Sequence, residues 1–413
     1  MTRFVSLLCA LVTATTIFVT GPLAAQSAVT IYEGARLIVG DGSAPIENAA
    51  FIVEGARVTQ AGPAGQLRVP AGATRVTLAG KTVMPAIIDT HTHMGETREA
   101  VVALLEQKAA FGVSVVLSLG SDPGDFAFML RDERLPNAAR LLTAGRGITM
   151  PEPGRSEVPY WVSTEAEARK AVQELAARKV DFIKIWVDDR NGKYKKLTPE
   201  LYGAVIDEAH TLKQRVTVHV YYLDDAKGLL KAGVDAFAHG VRDKEVDDEL
   251  MALIKARPDF VLVPNLPDRG VATDMSWLAD SVAPDTLKKL QAAATDRPAA
   301  QQSFGIQARS LAKLNAAGVK IALGTDGGIA WSHHLEMEDM VASGMTAHEV
   351  IVAATRNGAE FLRLPDHGTI AAGKSADFIV LDANPLDDIR NTRRISDVYI
   401  RGTKLDRAAL RPR

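Results

Sequence analysis

Between residues 83 and 324, eight short apolar, β-prone runs alternate with segments of helical periodicity. This alternation is the strongest constraint on the fold, because it predicts β/α units around a parallel sheet. The predicted strands are Val83 to Asp89, Val113 to Leu119, Leu141 to Gly147, Phe182 to Val187, Arg215 to Val220, Ala236 to His239, Phe260 to Pro264 and Lys320 to Gly324. Predicted helices fall between them: Thr164 to Lys179 behind a Ser163 cap, Pro199 to Leu212 behind Thr198, and Ala347 to Leu364 behind Thr346. Eight strands in this order predict an α/β fold closed as a (β/α)8 TIM barrel. An open, doubly wound sheet is the alternative, but no Gly-rich phosphate loop follows the first strand.

The chain has 413 residues, more than the roughly 250 of such a barrel, so an accessory domain is expected. Short β-prone runs punctuated by turns cover Val29 to Leu78, and the same style returns at Phe378 to Leu381 and Val398 to Ile400. Neither end has enough strands to bury a face alone. The expected solution is one small β-sandwich assembled from both termini, at 26–82 and 365–413, flanking a barrel over 83–364. Residues 1–25 read as a signal peptide. Arg3 precedes a mostly apolar stretch from Val5 to Val19, and Gly21-Pro-Leu-Ala-Ala25 supplies small residues before a cut ahead of Gln26. That stretch falls short of the ~20 apolar residues needed to span a bilayer. The expectation is therefore an exported protein, periplasmic or secreted, with no stable membrane insertion after cleavage. The only cysteine, Cys9, lies within this segment and follows Leu8, where lipid attachment would call for a small residue. No disulfide is then available to the mature chain, and any metal must be held by histidine, carboxylate or a modified lysine. With 48 basic against 50 acidic residues, a nucleic-acid partner is not expected.

Chemistry-bearing side chains gather at the predicted C-terminal strand ends. His91 and His93 follow the first strand, two apart, so an extended backbone turns both imidazoles to one side. Lys184 lies inside the apolar run Phe182-Ile-Lys-Ile-Trp186, where an amine is costly unless paired or neutralised. It is either a strand-end lysine reaching for solvent or a neutral amine able to take up carbon dioxide as a carbamate. His219 and His239 sit near the ends of two later strands, and Asp326 just past the last. Singly, each has an ordinary alternative, such as a hydrogen-bonded core histidine or a helix cap. Together they occupy the face of a barrel where catalytic groups collect, and six such coincidences point to a site for two metal ions.

Asp89-Thr-His-Thr-His93, Lys184, His219, His239 and Gly324-Thr-Asp326 resemble the amidohydrolase superfamily. Lys81-Thr-Val-Met-Pro85 resembles that family's crossing into the first barrel strand, and Gly368 to Asp382 its return to the sandwich. The nearest branches are the imidazolonepropionase-like enzymes and the Xaa-Pro dipeptidases (prolidases). The resemblance implies two divalent cations, with zinc suited to the nitrogen and oxygen ligands. His91, His93 and Asp326 would hold one cation, His219 and His239 the other, and carbamylated Lys184 would bridge them. It further implies attack of metal-bound hydroxide on a carbonyl, with Asp326 as the catalytic acid/base. The expected substrate is a small molecule with an amide bond to an amino acid: a dipeptide, possibly Xaa-Pro in the sense of the prolidase branch, or an N-acyl amino acid. A cyclic amide, lactone or organophosphate ester is the alternative. A one-metal deaminase is disfavoured by the lysine, and a non-catalytic scaffold by the complete ligand set. Tyr221, Tyr222, Arg242, Arg269 and His334 are expected to contact substrate, arginine being suited to bidentate capture of a carboxylate. A homo-oligomer is expected.

Overall fold

The computed structural model describes residues 29–411; the expected signal peptide, with Arg3 and Cys9, lies outside them. Strands from both ends of the chain join one eight-stranded sheet. Its order is Thr403–Lys404, Ile395–Ile400, Phe378–Leu381, Thr82–Pro85, Val29–Leu37, Ile46–Glu54 and Arg57–Pro63, with Thr74–Thr77 pairing in parallel beside Val29–Leu37. Four aromatic rings fasten the two halves. Tyr32 stacks on Phe51 at 4.9 Å, Phe51 meets Phe378 edge-on at 4.9 Å, and Phe378 stacks on Tyr399 at 4.3 Å. These offset and edge contacts are the geometries favoured by the ring quadrupole.

The central chain forms two parallel sheets. One has three strands, Ile87–Thr92, Val113–Ser118 and Arg140–Thr143. The other has seven, in the order Tyr160–Trp161, Ile148–Thr149, Ile183–Val187, Val216–Val220, Ala236–Phe237, Val261–Leu262 and Lys320–Ile321. Backbone hydrogen bonds link the two sheets on both sides: Thr90 N donates to Leu323 O at 2.9 Å, and Asp181 N to Thr143 O at 3.0 Å. Every residue of Ile183–Val187 and Val216–Val220 is buried, as expected where helices cover one face of a parallel sheet and packed side chains the other.

Three expectations need correction. Val83 to Asp89 is not one strand. Thr82–Pro85 pairs antiparallel with Phe378–Leu381 in the terminal sheet, while Ile87–Thr92 begins the three-stranded parallel sheet. The break comes beside Pro85, which has no N–H to carry a ladder onward. The helix Glu165–Ala177 is capped by Thr164 rather than Ser163, because only Thr164 stands three residues before Glu167 and completes the reciprocal capping box. Predicted as one helix, Ala347 to Leu364 instead runs as Ala347–Val352, a wide π turn over Ala353–Asn357, and Gly358–Phe361.

Candidate metal centre

The strand Ile87–Thr92 carries His91, with His93 just beyond its end. Buried His91 has its Nδ1 3.0 Å from Ala238 O and 2.9 Å from Asn265 Oδ1. The carbonyl can only accept, so Nδ1 carries the hydrogen and Nε2 keeps its lone pair. That Nε2 stands 3.1 Å from Asp326 Oδ1 with no hydrogen-bond partner among the described residues. An imidazole lone pair facing a carboxylate oxygen at this distance is stable only with a proton or a cation between them.

Asp326 gathers the histidines. Its Oδ1 is 2.9 Å from His93 Nε2, and its Oδ2 is 3.5 Å from His239 Nε2. One donor atom each from His91, His239 and Asp326 falls within 4.8 Å of the others. Burial alone would raise the Asp326 carboxyl, but the facing His239 and His91, with a hydrogen bond from His93, hold it far below the usual carboxylate range. Its backbone is left-handed, φ 50°, a conformation that Asp tolerates better than most residues. Gly324 allows the approach of this loop, since a Cβ there would lie 2.8 Å from the His91 Cβ. Fully buried Asp89 anchors the loop: it accepts from Thr325 N at 3.1 Å and Thr325 Oγ1 at 2.9 Å, and pairs with buried Lys108 at 2.8 Å.

His219 lies in Val216–Val220 and His239 two residues past Ala236–Phe237; their ring centroids are 4.5 Å apart. His239 and His91 centroids are 5.1 Å apart. Burial, working against a hydrogen bond to Asp188, pulls the His219 imidazole down to about 3. Lys184, in the neighbouring strand, is completely buried, and its Nζ has no hydrogen-bond partner among the described residues. Burial pushes this amine down to about 7, where a neutral, nucleophilic nitrogen is accessible. Unpaired lone pairs, a desolvated amine and an ionised carboxylate make a donor set that fits divalent cations, and His91 Nε2 and Lys184 Nζ are among the buried atoms left without partners.

The expected substrate contacts divide. Arg242 reaches the site, its Nη2 2.8 Å from His239 Nδ1 and its Nε buried without a partner. Tyr221 and Tyr222 pack edge to face at 4.9 Å, and the Tyr222 hydroxyl donates to Asp189 Oδ1 at 2.9 Å, which pushes the phenol up to about 12. Arg269 pairs with Asp339 at 3.3 Å and lines an open cavity of about 330 Å³ that also touches Thr325, the neighbour of Asp326. His334 is a correction. With His333 it lies in the helix Ser332–Ala342, and its buried ring bonds Thr392 Oγ1 at 3.0 Å among Phe111, Trp277 and His333. Core packing, rather than a pocket, surrounds it.

Sequence reasoning missed the partners of the histidines, Asn265, Asp188 and Arg190, and Glu152 behind Arg190. The available signal was the triplet Asp188-Asp189-Arg190 directly after a fully buried strand. Charges at that position face either solvent or a site.

Paired parallel sheets with a histidine–carboxylate cluster at their C-terminal strand ends form a candidate metal site. The chain belongs to the amidohydrolase family, whose model matches residues 82–405. It is 26% identical over 427 residues to the ochratoxinase of Aspergillus niger, covering 88% of this chain and 83% of that one. It is 24% identical over 398 residues to the imidazolonepropionase of Deinococcus radiodurans, covering 87% and 92%. The structure of a Xaa-Pro dipeptidase with methionine bound in the active site superposes with a TM-score of 0.74 at 24% identity, covering 91% of this chain and 99% of that one. The protein is thus a hydrolase acting on amide bonds of small molecules. No helix among the described residues is long and apolar enough to cross a membrane.

Proposed function

We propose that the protein is a two-metal amidohydrolase that cleaves the amide bond to an amino acid in a dipeptide, Xaa-Pro among them, or an N-acyl amino acid. His91, His93 and Asp326 would hold one cation, His219 and His239 the other, with Lys184 as its carbamate between them. Two such ions, zinc being suited to these donors, supply Lewis acidity toward the carbonyl and lower the pKa of water. The observation that carries the proposal is the pairing of the unpartnered His91 Nε2 against Asp326 with a desolvated, unpartnered Lys184 Nζ. Both arrangements are costly in a core, and cation binding at these atoms would offset that cost.

Asp326, deeply ionised between His91, His93 and His239, accepts the proton of the attacking water and returns it to the leaving nitrogen. Arg242, with a free buried Nε beside His239, binds the substrate carboxylate. The ochratoxinase, imidazolonepropionase and dipeptidase likenesses support an amide-type bond. The backbone bonds at Thr90 and Asp181 support closure of the two parallel sheets into a (β/α)8 barrel, with the terminal sheet forming the sandwich domain. Export rests on residues 1–25. Metal analysis together with a panel of dipeptides and N-acyl amino acids tests this function. Two equivalents of metal and turnover of at least one panel member are expected. A fully metal-loaded enzyme that leaves the whole panel intact while opening lactones or cyclic amides would defeat the substrate assignment.

A further inference from the structure

A chain of charges runs behind His219. Its Nε2 is 2.8 Å from Asp188 Oδ2, and the same oxygen is 2.6 Å from Arg190 Nη1. Arg190 Nη1 also stands 3.2 Å from His219 Nε2. A guanidinium is always a donor, so it cannot bond an N–H, and the carboxylate is left as the acceptor for Nε2–H. With its hydrogen on Nε2, the ring offers Nδ1 as its electron-pair donor.

Asp188 is itself immobilised. Its Oδ1 accepts from Arg190 N at 2.9 Å. Arg190 Nε donates to Glu152 Oε1 at 3.0 Å, and Glu152, only 2% exposed, takes Arg155 Nη1 on its other oxygen at 2.7 Å. Arg190 and Asn191 both take left-handed backbone, φ 56° and 60°, so the turn that folds Arg190 back over Asp188 is strained. Buried charge chains of this kind contribute little net stability, whereas partners on the far side of ligating imidazoles orient them.

We propose that Asp188, locked by Arg190 and Glu152, is a positioning residue that sets the tautomer and orientation of His219 for the second cation. This rests on the two-metal reading above.

The test is a chelator-competition titration of metal-free protein with Zn²⁺, comparing wild type, Asp188→Ala and Asp188→Asn, each checked for fold by circular dichroism and thermal melting. Asp188→Ala is expected to weaken the second Zn²⁺ by about 10–100-fold and leave the first unchanged. Asp188→Asn keeps an acceptor oxygen for Nε2–H and should recover most of the loss, a rescue that a merely structural tie would not produce. Should Asp188→Ala not fold, Arg190→Met replaces it, with a smaller loss confined to the second site. Wild type and Asp188→Ala binding two Zn²⁺ equally well would overturn this inference alone, and so would equal losses in the Ala and Asn variants. A wild type that holds a single Zn²⁺ would overturn the two-metal reading and this inference together.

Discussion

The terminal sheet and the rim of the parallel strands bury their side chains on opposite principles. In the terminal sheet, Tyr32, Phe51, Phe378 and Tyr399 meet ring to ring, and strands from the two ends of the chain hydrogen-bond in register. At the rim, His91, Lys184, His219 and His239 are just as buried, yet Lys184 Nζ and His91 Nε2 lack partners. Desolvating polar groups without partners opposes folding. The first region therefore contributes stability, and the second spends some of it to hold reactive groups out of water. Changes in the two regions should separate cleanly between stability and turnover.

The sharpest separation is expected at Asp326→Asn. Steady-state kinetics on any accepted substrate should show a fall in kcat of about 10²–10⁴-fold, the usual span for a positioned acid/base. Melting temperature should fall only modestly, since Asn accepts the left-handed backbone while the charge that the facing histidines favour is lost. A large loss of stability with turnover intact would break the comparison. The converse is Phe378→Ala. Denaturant unfolding should show a loss of about 3–5 kcal/mol, while kcat per folded molecule stays unchanged. A change in kcat there would mean that the terminal sheet reaches the site energetically.

Arg242→Met should act on binding. A rise in KM of about tenfold or more, equivalent to roughly 1.4 kcal/mol, is expected for substrates with a free carboxylate and not for their amides. Equal effects on acid and amide would remove Arg242 from substrate recognition.

The smallest effect concerns pH. Burial, despite Arg269 nearby, pushes the Asp339 carboxyl up to about 7. A carboxyl whose folded pKa exceeds its unfolded value of about 3.9 binds more protons folded than unfolded between those two values. Its contribution is complete below about pH 4 and is lost as pH rises toward 7. Asp339→Asn should flatten that part of the stability–pH curve, read as melting temperature at pH 4, 5.5 and 7. An unchanged curve would show that solvent in the adjoining cavity screens this carboxyl.

Much of the site was legible because its residue types are improbable in their settings. A lysine inside Phe182-Ile-Lys-Ile-Trp186, and histidines at the ends of apolar runs, stand out against a background meant for burial. The structure brings His91, His93, His219, His239 and Asp326 within reach of one another. Asp188, Arg190 and Glu152 were only half legible: charges directly after a buried strand face either solvent or a site, and contact with His219 decides which. His334 misled for the opposite reason: a histidine near the last strand looks like a pocket residue, but a helix turns it toward Phe111, Trp277 and Thr392.

The amino-acid order alone determined where most strands and helices fall and which side chains are chemically out of place, since both follow from local periodicity and the cost of burying polar groups. Tertiary structure decided the rest. It moved Thr82–Pro85 into the terminal sheet beside Phe378–Leu381, set Asn265 and the Ala238 carbonyl against one face of His91, and set Asp188 against His219. Those contacts join residues 30 to nearly 300 positions apart. No local pattern encodes such pairings, because they arise only when separate hydrophobic faces pack and leave particular polar atoms a single partner.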